Sequence, residues 1–104
     1  MEIINANDSN FETLLKDNKK VMVKYYAGWC GSCRLIAPKY SNLANNEDYK
    51  DTLFIEVDAE NNPNARAKAG VNNLPFFAGF SSGNLVEGFP TSKIDAVEDL
   101  IKKL

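Results

Sequence analysis

Apolar runs of strand length alternate along this chain with segments in which apolar residues recur at helical spacing. Residues 21–26 and 52–57 are short, nearly continuous in apolar character and rich in β-branched and aromatic side chains, which is typical of strands covered on both faces. Ile3-Ile4 is a further short candidate strand. This alternation predicts an α/β fold.

The helical segments carry recognisable start and stop signals. Ser9 and Glu12 have capping-box spacing, and Phe11, Leu14 and Leu15 follow at helical intervals, so a first helix is predicted from there to about Asp17. A second helix follows the cysteines, with Ile36, Tyr40, Leu43 and Ala44 on one side and Pro38 as a predicted kink.

Pro63 at a first helical position and Gly70 as a stop predict a third, short helix. Residues 76–80 and 85–89 flank a turn-rich connection and predict a hairpin. Ser92 with Asp95 predicts a cap for the last helix, in which an apolar stripe is formed by Ile94, Val97, Ile101 and Leu104.

Length and charge set the broad class of protein. The 104 residues suit one domain, residues 1–104, with a single modest core. A formal net charge of −2 with only short basic clusters argues against a nucleic-acid partner. The sequence shows neither a signal-peptide pattern nor an apolar run of membrane-spanning length, so we expect a cytoplasmic protein without a membrane partner.

The candidate chemistry lies in the two cysteines, Cys30 and Cys33, at a predicted strand-to-helix junction. Free N–H groups and the positive end of the helix dipole stabilise a thiolate there, which lowers the pKa of a thiol from its ordinary value of about 8.5. We therefore expect Cys30 to be the attacking sulfur. Cys33, one turn further along, would resolve the mixed disulfide.

Three other interpretations of the pair are weaker. A structural disulfide would close too short a loop to stabilise the chain much. A closed zinc site needs four ligands, and the chain has two cysteines and no histidine. Two ordinary buried cysteines fit poorly with the flanking Trp29 and Gly31.

The chain resembles the thioredoxin family over almost its whole length. Residues 27–34 (Ala-Gly-Trp-Cys-Gly-Ser-Cys-Arg) are similar to that family's active-site loop, residues 36–38 (Ile-Ala-Pro) to its second helix, residues 54–58 (Phe-Ile-Glu-Val-Asp) to its central strand, and residues 70–75 (Gly-Val-Asn-Asn-Leu-Pro) to the segment ending in a cis-proline. The resemblance implies a thioredoxin fold, with a mixed sheet of about five strands flanked by about four helices.

The resemblance also implies roles for residues around the cysteines. Pro75 is expected to follow a cis bond that turns Leu74 toward Cys30, where its exposed strand edge would pair with an extended substrate segment. Trp29 is expected on the rim beside Cys30, shaping the contact surface. Ser32 replaces the family's usual proline, and we expect its N–H and hydroxyl to donate to the thiolate and raise the reduction potential.

The largest departure from the family pattern is Lys24, which stands where the family has a buried aspartate. A protonated lysine cannot accept a proton, whereas Glu56 on the next strand could act as a base if the two side chains meet in one buried region. The alternative is that Lys24 reaches solvent and Glu56 is simply exposed. The residues leave both arrangements open.

The function implied by the resemblance is reduction of disulfides in protein substrates, with re-reduction by a thioredoxin-reductase-like electron donor. No bound cofactor is needed beyond the redox-active Cys30–Cys33 disulfide. A disulfide oxidase or isomerase remains an alternative because the sequence does not fix the reduction potential. A redox-inactive binding module on the same fold is the other alternative.

Overall fold

The fold is described by a computed structural model covering residues 2–104. Its elements in chain order are β1 (Ile4–Ala6), α1 (Phe11–Asp17), β2 (Lys20–Tyr26), α2 (Gly31–Ala44), a 3-10 turn (Glu47–Tyr49), β3 (Leu53–Asp58), α3 (Pro63–Ala69), β4 (Phe76–Ser81), β5 (Asn84–Pro90) and α4 (Ile94–Ile101). Within the described residues the predicted mixed sheet of five strands with four α-helices is therefore confirmed.

The sheet has the strand order β1-β3-β2-β4-β5, with β2 at its centre. Strand β2 runs parallel to β3 and antiparallel to β4, and β4 pairs with β5 as the predicted hairpin. In this register Lys24 lies beside Glu56 on one side and beside Phe77 on the other. Two residues that are 32 positions apart in the sequence thus become direct neighbours.

Side chains alternate along a strand, so β2 presents apolar side chains to both faces of the sheet. Each face is covered by a pair of helices. Strand residues such as Val23 and Tyr25 pack with Phe11 and Leu15 of α1 and with α3. Met22 lies on the opposite face, where it packs with α2 and α4; the buried helical residues there are Ile36, Tyr40, Leu43, Ala44, Val97, Leu100 and Ile101. Helix α2, which carries the cysteines, is therefore seated against the sheet centre.

Several predicted boundaries are confirmed. Helix α3 begins at Pro63 and is followed by Gly70, whose φ of 64° lies in the left-handed region that glycine adopts most easily. Helix α2 continues through Pro38 in its interior, and the kink expected there stays a prediction. Strand β1 is different, because it covers Ile4–Ala6 and the expected bounds of Ile3-Ile4 are therefore wrong.

Both capping-box predictions are wrong. Helix α1 begins at Phe11, and the N–H groups of Ser9 and Asn10 donate to the Asn7 side chain instead of the Ser9 hydroxyl acting as a cap. The Asn7 side chain thus takes the Ser9 N–H, which the Glu12 side chain would bind in a capping box.

Helix α4 also lacks the predicted cap. The residue directly before it is Lys93 rather than Ser92, and no side chain caps the helix; the Lys93 N–H donates to the Thr91 hydroxyl. The buried face of α4 includes Leu100, which the predicted apolar stripe left out. Leu104, which the predicted stripe included, lies beyond the end of the helix.

Candidate active site

The cysteine pair lies at the point where the chain leaves β2 and enters α2. Cys30 is the residue immediately before α2, and its Sγ accepts a hydrogen bond from the Cys33 N–H at 3.2 Å. The two cysteines form a disulfide, with their Cα atoms 5.3 Å apart, and both are buried. The first sulfur therefore sits where the free amides and dipole of a helix N-terminus favour negative charge.

The surroundings of the pair are apolar on one side. Ala27, Tyr26 and Leu74 pack against the two cysteines. The Leu74–Pro75 bond is cis, as predicted, and the Pro75 carbonyl accepts a hydrogen bond from the Thr91 N–H at 3.1 Å. The loop before β4 is thereby held next to the disulfide.

The rim of the site is exposed. Trp29, directly before Cys30, has 67% of its surface exposed, and Leu35 on the outer side of α2 has 79% exposed. A shallow cavity of about 240 Å³ is bordered by Ser32, Asn73, Leu74, Pro75, Pro90, Thr91 and Ser92. Leu74 and Pro75, two of the predicted contact residues, therefore line one concave surface, and Leu74 also packs against the cysteines.

Two further residues lie between the cysteines. In the disulfide form the hydrogen bond to Sγ of Cys30 comes from the N–H of Cys33, and donation from Ser32 to the thiolate stays a prediction for the reduced form. Gly31 begins α2, and a Cβ added to it would meet no atom within 4 Å.

Lys24 and Glu56 form an ion pair, with Nζ of Lys24 at 3.3 Å from Oε2 of Glu56. The lysine is buried, with 4% of its surface exposed, and its Nζ lies 5.5 Å from the ring centre of Tyr40 and 5.8 Å from that of Tyr26. Two aromatic faces and a carboxylate thus compensate for burying the ammonium group. The arrangement in which Lys24 reaches solvent is wrong.

An open cavity of about 260 Å³ brings the ion pair and the second cysteine together. It is lined by Lys24, Tyr26, Ala27, Gly28, Cys33, Arg34, Ala37 and Glu56. Cys33, Lys24 and Glu56 come from three different elements, and only their packing makes them neighbours. The site therefore has two concave surfaces, one lined by Leu74 and Pro75 and a charged cavity behind Cys33.

Sequence reasoning missed the part played by Tyr40. Its position on the apolar side of α2 indicated core packing, but its hydroxyl also lies 3.0 Å from the Met22 carbonyl and 2.9 Å from the Ile55 carbonyl. Burial and the nearby charge of Glu56 raise the pKa of Tyr40 well above its ordinary value. A lone tyrosine at a helical core position gives no signal for such a bridge between strands.

This arrangement defines an α/β protein that carries out thiol–disulfide exchange. Comparison with known proteins supports the same class. The sequence profile of the family described as Thioredoxin matches residues 2–103. The chain is 34% identical over 94 residues to Thioredoxin-1 of Schizosaccharomyces pombe, covering 88% of this chain and 89% of that one. It is also 32% identical over 100 residues to Thioredoxin-T of Drosophila melanogaster, covering 95% of this chain and 62% of the longer relative.

Solved structures show the same likeness. The crystal structure of the oxidised form of mitochondrial thioredoxin 3 from Saccharomyces cerevisiae superposes with a TM-score of 0.88 at 29% identity, covering 98% of this chain and 95% of that one. The chain belongs to the thioredoxin family. It is a thiol–disulfide oxidoreductase of the protein-disulfide reductase class. Across residues 2–104, no helix has both the length and the apolar character needed to cross a bilayer.

Proposed function

We propose that the reduced protein reduces accessible disulfides of other proteins in the cytoplasm, with Cys30 as the nucleophile and Cys33 as the resolving thiol. A thioredoxin-reductase-like enzyme would return the resulting disulfide to the dithiol. The observation that carries this assignment is the placement of Cys30 directly before α2, with its Sγ accepting the Cys33 N–H. Such a position stabilises the thiolate of the first cysteine more than that of the second.

The first step is attack of the Cys30 thiolate on one sulfur of the substrate disulfide. The substrate S–S bond breaks, and the other substrate sulfur leaves with the electron pair and takes up a proton. A mixed disulfide between Cys30 and the substrate results. The substrate chain would lie on the concave surface lined by Leu74 and Pro75, with the exposed Trp29 directly before Cys30 as a further contact.

In the second step Cys33 loses its proton and attacks Sγ of Cys30. The bond between Cys30 and the substrate breaks, the substrate leaves as a dithiol, and the Cys30–Cys33 disulfide forms. This step would leave the pair in the disulfide form that the structure has. In sum, two electrons pass from the protein to its substrate, and both substrate sulfurs end as thiols.

The proposal is tested by insulin reduction with dithiothreitol as the electron source, followed by equilibration of the protein with glutathione. We expect catalysis of insulin precipitation and a reduction potential of about −270 mV, the value typical of a thioredoxin-type reductase. A potential above about −180 mV would instead support the oxidase or isomerase alternative. Lack of catalysis by the intact dithiol would support a redox-inactive binding module.

A further inference from the structure

The cavity behind Cys33 contains the groups that face this thiol from strands β2 and β3 and from helix α2. The titratable or charged side chains lining it are Lys24, Tyr26, Cys33, Arg34 and Glu56. Tyr40 and Asp58 lie just outside this lining and interact electrostatically with Glu56 and Tyr26, respectively. Any proton that leaves Cys33 on this side must pass among these groups.

Only one of the lining groups is suited to take a proton at neutral pH. The ammonium of Lys24 has no lone pair, and a guanidinium such as that of Arg34 stays protonated. Burial, together with the charges of Glu56 and Asp58, raises the pKa of Tyr26, so its phenol keeps its proton. The carboxylate of Glu56 is the acceptor that remains.

Lys24 holds that carboxylate at the cavity. Its Nζ is 3.3 Å from Oε2 of Glu56 and lies near the rings of Tyr40 and Tyr26, so the ammonium has little freedom to move. The side chain of Glu56 keeps 29% of its surface exposed, which gives it access to the open cavity and to solvent. The cavity has room for several water molecules to relay a proton from Cys33.

We propose that Glu56 accepts the thiol proton of Cys33 during resolution of the mixed disulfide, with Lys24 as the positioning residue. As the proton moves to Glu56, Sγ of Cys33 bonds to Sγ of Cys30, and the substrate sulfur leaves with the electron pair and is protonated from solvent. Glu56 then returns its proton to solvent through the open cavity. This inference rests on the proposed function and deepens its second step.

The two chemical steps can be followed separately with dithiobis(nitrobenzoate) as the disulfide substrate. Attack by Cys30 releases one coloured thionitrobenzoate, and resolution by Cys33 releases the other, so rapid mixing with the reduced protein gives two phases of absorbance. We expect Glu56→Gln to leave the first phase unchanged and to slow the second about a hundredfold, the lower end of the usual contribution of a general base. Its second phase should then rise in proportion to hydroxide, whereas the unmodified protein should show a weaker pH dependence.

Matched variants separate proton transfer from support of the fold. Glu60→Gln makes the same change at an exposed carboxylate two residues beyond the end of β3. This variant should behave like the unmodified protein. Lys24→Met with Glu56→Gln removes both charges and leaves no unpaired buried ion, so it keeps the test valid where the single variant folds poorly. Lys24→Met alone should slow the second phase less than Glu56→Gln, and Lys24→Arg should restore it.

The outcomes are distinct. A slow second phase in both Glu56→Gln and the double variant supports the inference. Normal resolution in either of them, or a larger effect of Lys24→Met than of Glu56→Gln, overturns it. Absence of the first phase in the unmodified protein would contradict the proposed function itself rather than the role of Glu56.

Discussion

The N–H of Cys33 donates a hydrogen bond to Sγ of Cys30 at 3.2 Å, so the second cysteine supports the first through the backbone as well as through the disulfide. The relationship is not reciprocal, because Cys33 lies inside the first turn of α2 and Cys30 lies before it. A hydrogen bond to a charged acceptor contributes about 1.5–3 kcal/mol. Negative charge is therefore better tolerated on Cys30 than on Cys33.

Replacing each cysteine by serine should have different consequences. Cys33→Ser keeps the nucleophile and its N–H donor, so we expect it to accumulate a mixed disulfide between Cys30 and an oxidised protein substrate. Cys30→Ser should abolish turnover. Mass spectrometry after peptide digestion identifies the linked cysteine. An adduct through Cys33 in Cys30→Ser, or no adduct in Cys33→Ser, would contradict the assigned roles.

Ser32→Pro tests which amide matters to the sulfur. The amide of Cys33 that reaches Sγ of Cys30 is retained in this variant, so we expect the reduction potential to change by less than about 30 mV, which corresponds to 1.4 kcal/mol for a two-electron couple. Ser32→Ala is the control for the hydroxyl alone. A larger fall in potential with proline, measured by glutathione equilibration, would show that Ser32 donates to the thiolate in the reduced form.

The Lys24–Glu56 pair should contribute to stability in a way that a surface pair does not. Breaking a fully buried pair costs about 3–5 kcal/mol, and partial exposure of Glu56 reduces our expectation for Glu56→Gln to about 2 kcal/mol. The exposed pair of Lys68 and Glu12 is the matched comparison, for which Glu12→Gln should cost less than about 1 kcal/mol. Urea denaturation measures both, and equal midpoints for the two variants would show that burial of Lys24 has no energetic consequence.

The tyrosines predict how stability depends on alkaline pH. Burial raises the pKa values of Tyr25, Tyr26 and Tyr40, and the hydrogen bond to Glu98 raises that of Tyr49 to about 12. Because these values in the folded protein exceed the ordinary value of 10.0, the associated stability is present below pH about 10 and is lost as the pH rises through the folded values.

Ultraviolet titration of tyrosinate measures this effect. The folded protein should titrate at higher pH than the protein unfolded in guanidinium, and Tyr49→Phe should remove the component near 12. Coinciding curves for folded and unfolded protein below the pH of alkaline unfolding would refute the expectation.

Local features of the chain were predictable from the sequence. The apolar runs of β2 and β3, the hairpin of β4 and β5, and the start of α3 at Pro63 depend on neighbouring residues, whose preferences the sequence displays directly. The placement of Cys30 and Cys33 at a strand-to-helix junction follows from the same local pattern. The capping predictions at Ser9 and Ser92 were wrong because each helix begins one residue later than the spacing indicated, and the side chains of Asn7 and Thr91 bind N–H groups just before it.

Long-range features were decided only by the tertiary structure. Asp8 provides an example, since its carboxylate accepts the N–H groups of Asn64 and Ala65 and thereby caps a helix more than fifty residues away. The pairing of Lys24 with Glu56 likewise depends on the parallel register of β2 and β3, and the cavity with Cys33 depends on how α2 packs across them. The sequence determined which residues could carry the chemistry, but their meeting depends on strand order and packing, because these contacts join side chains that no local periodicity relates.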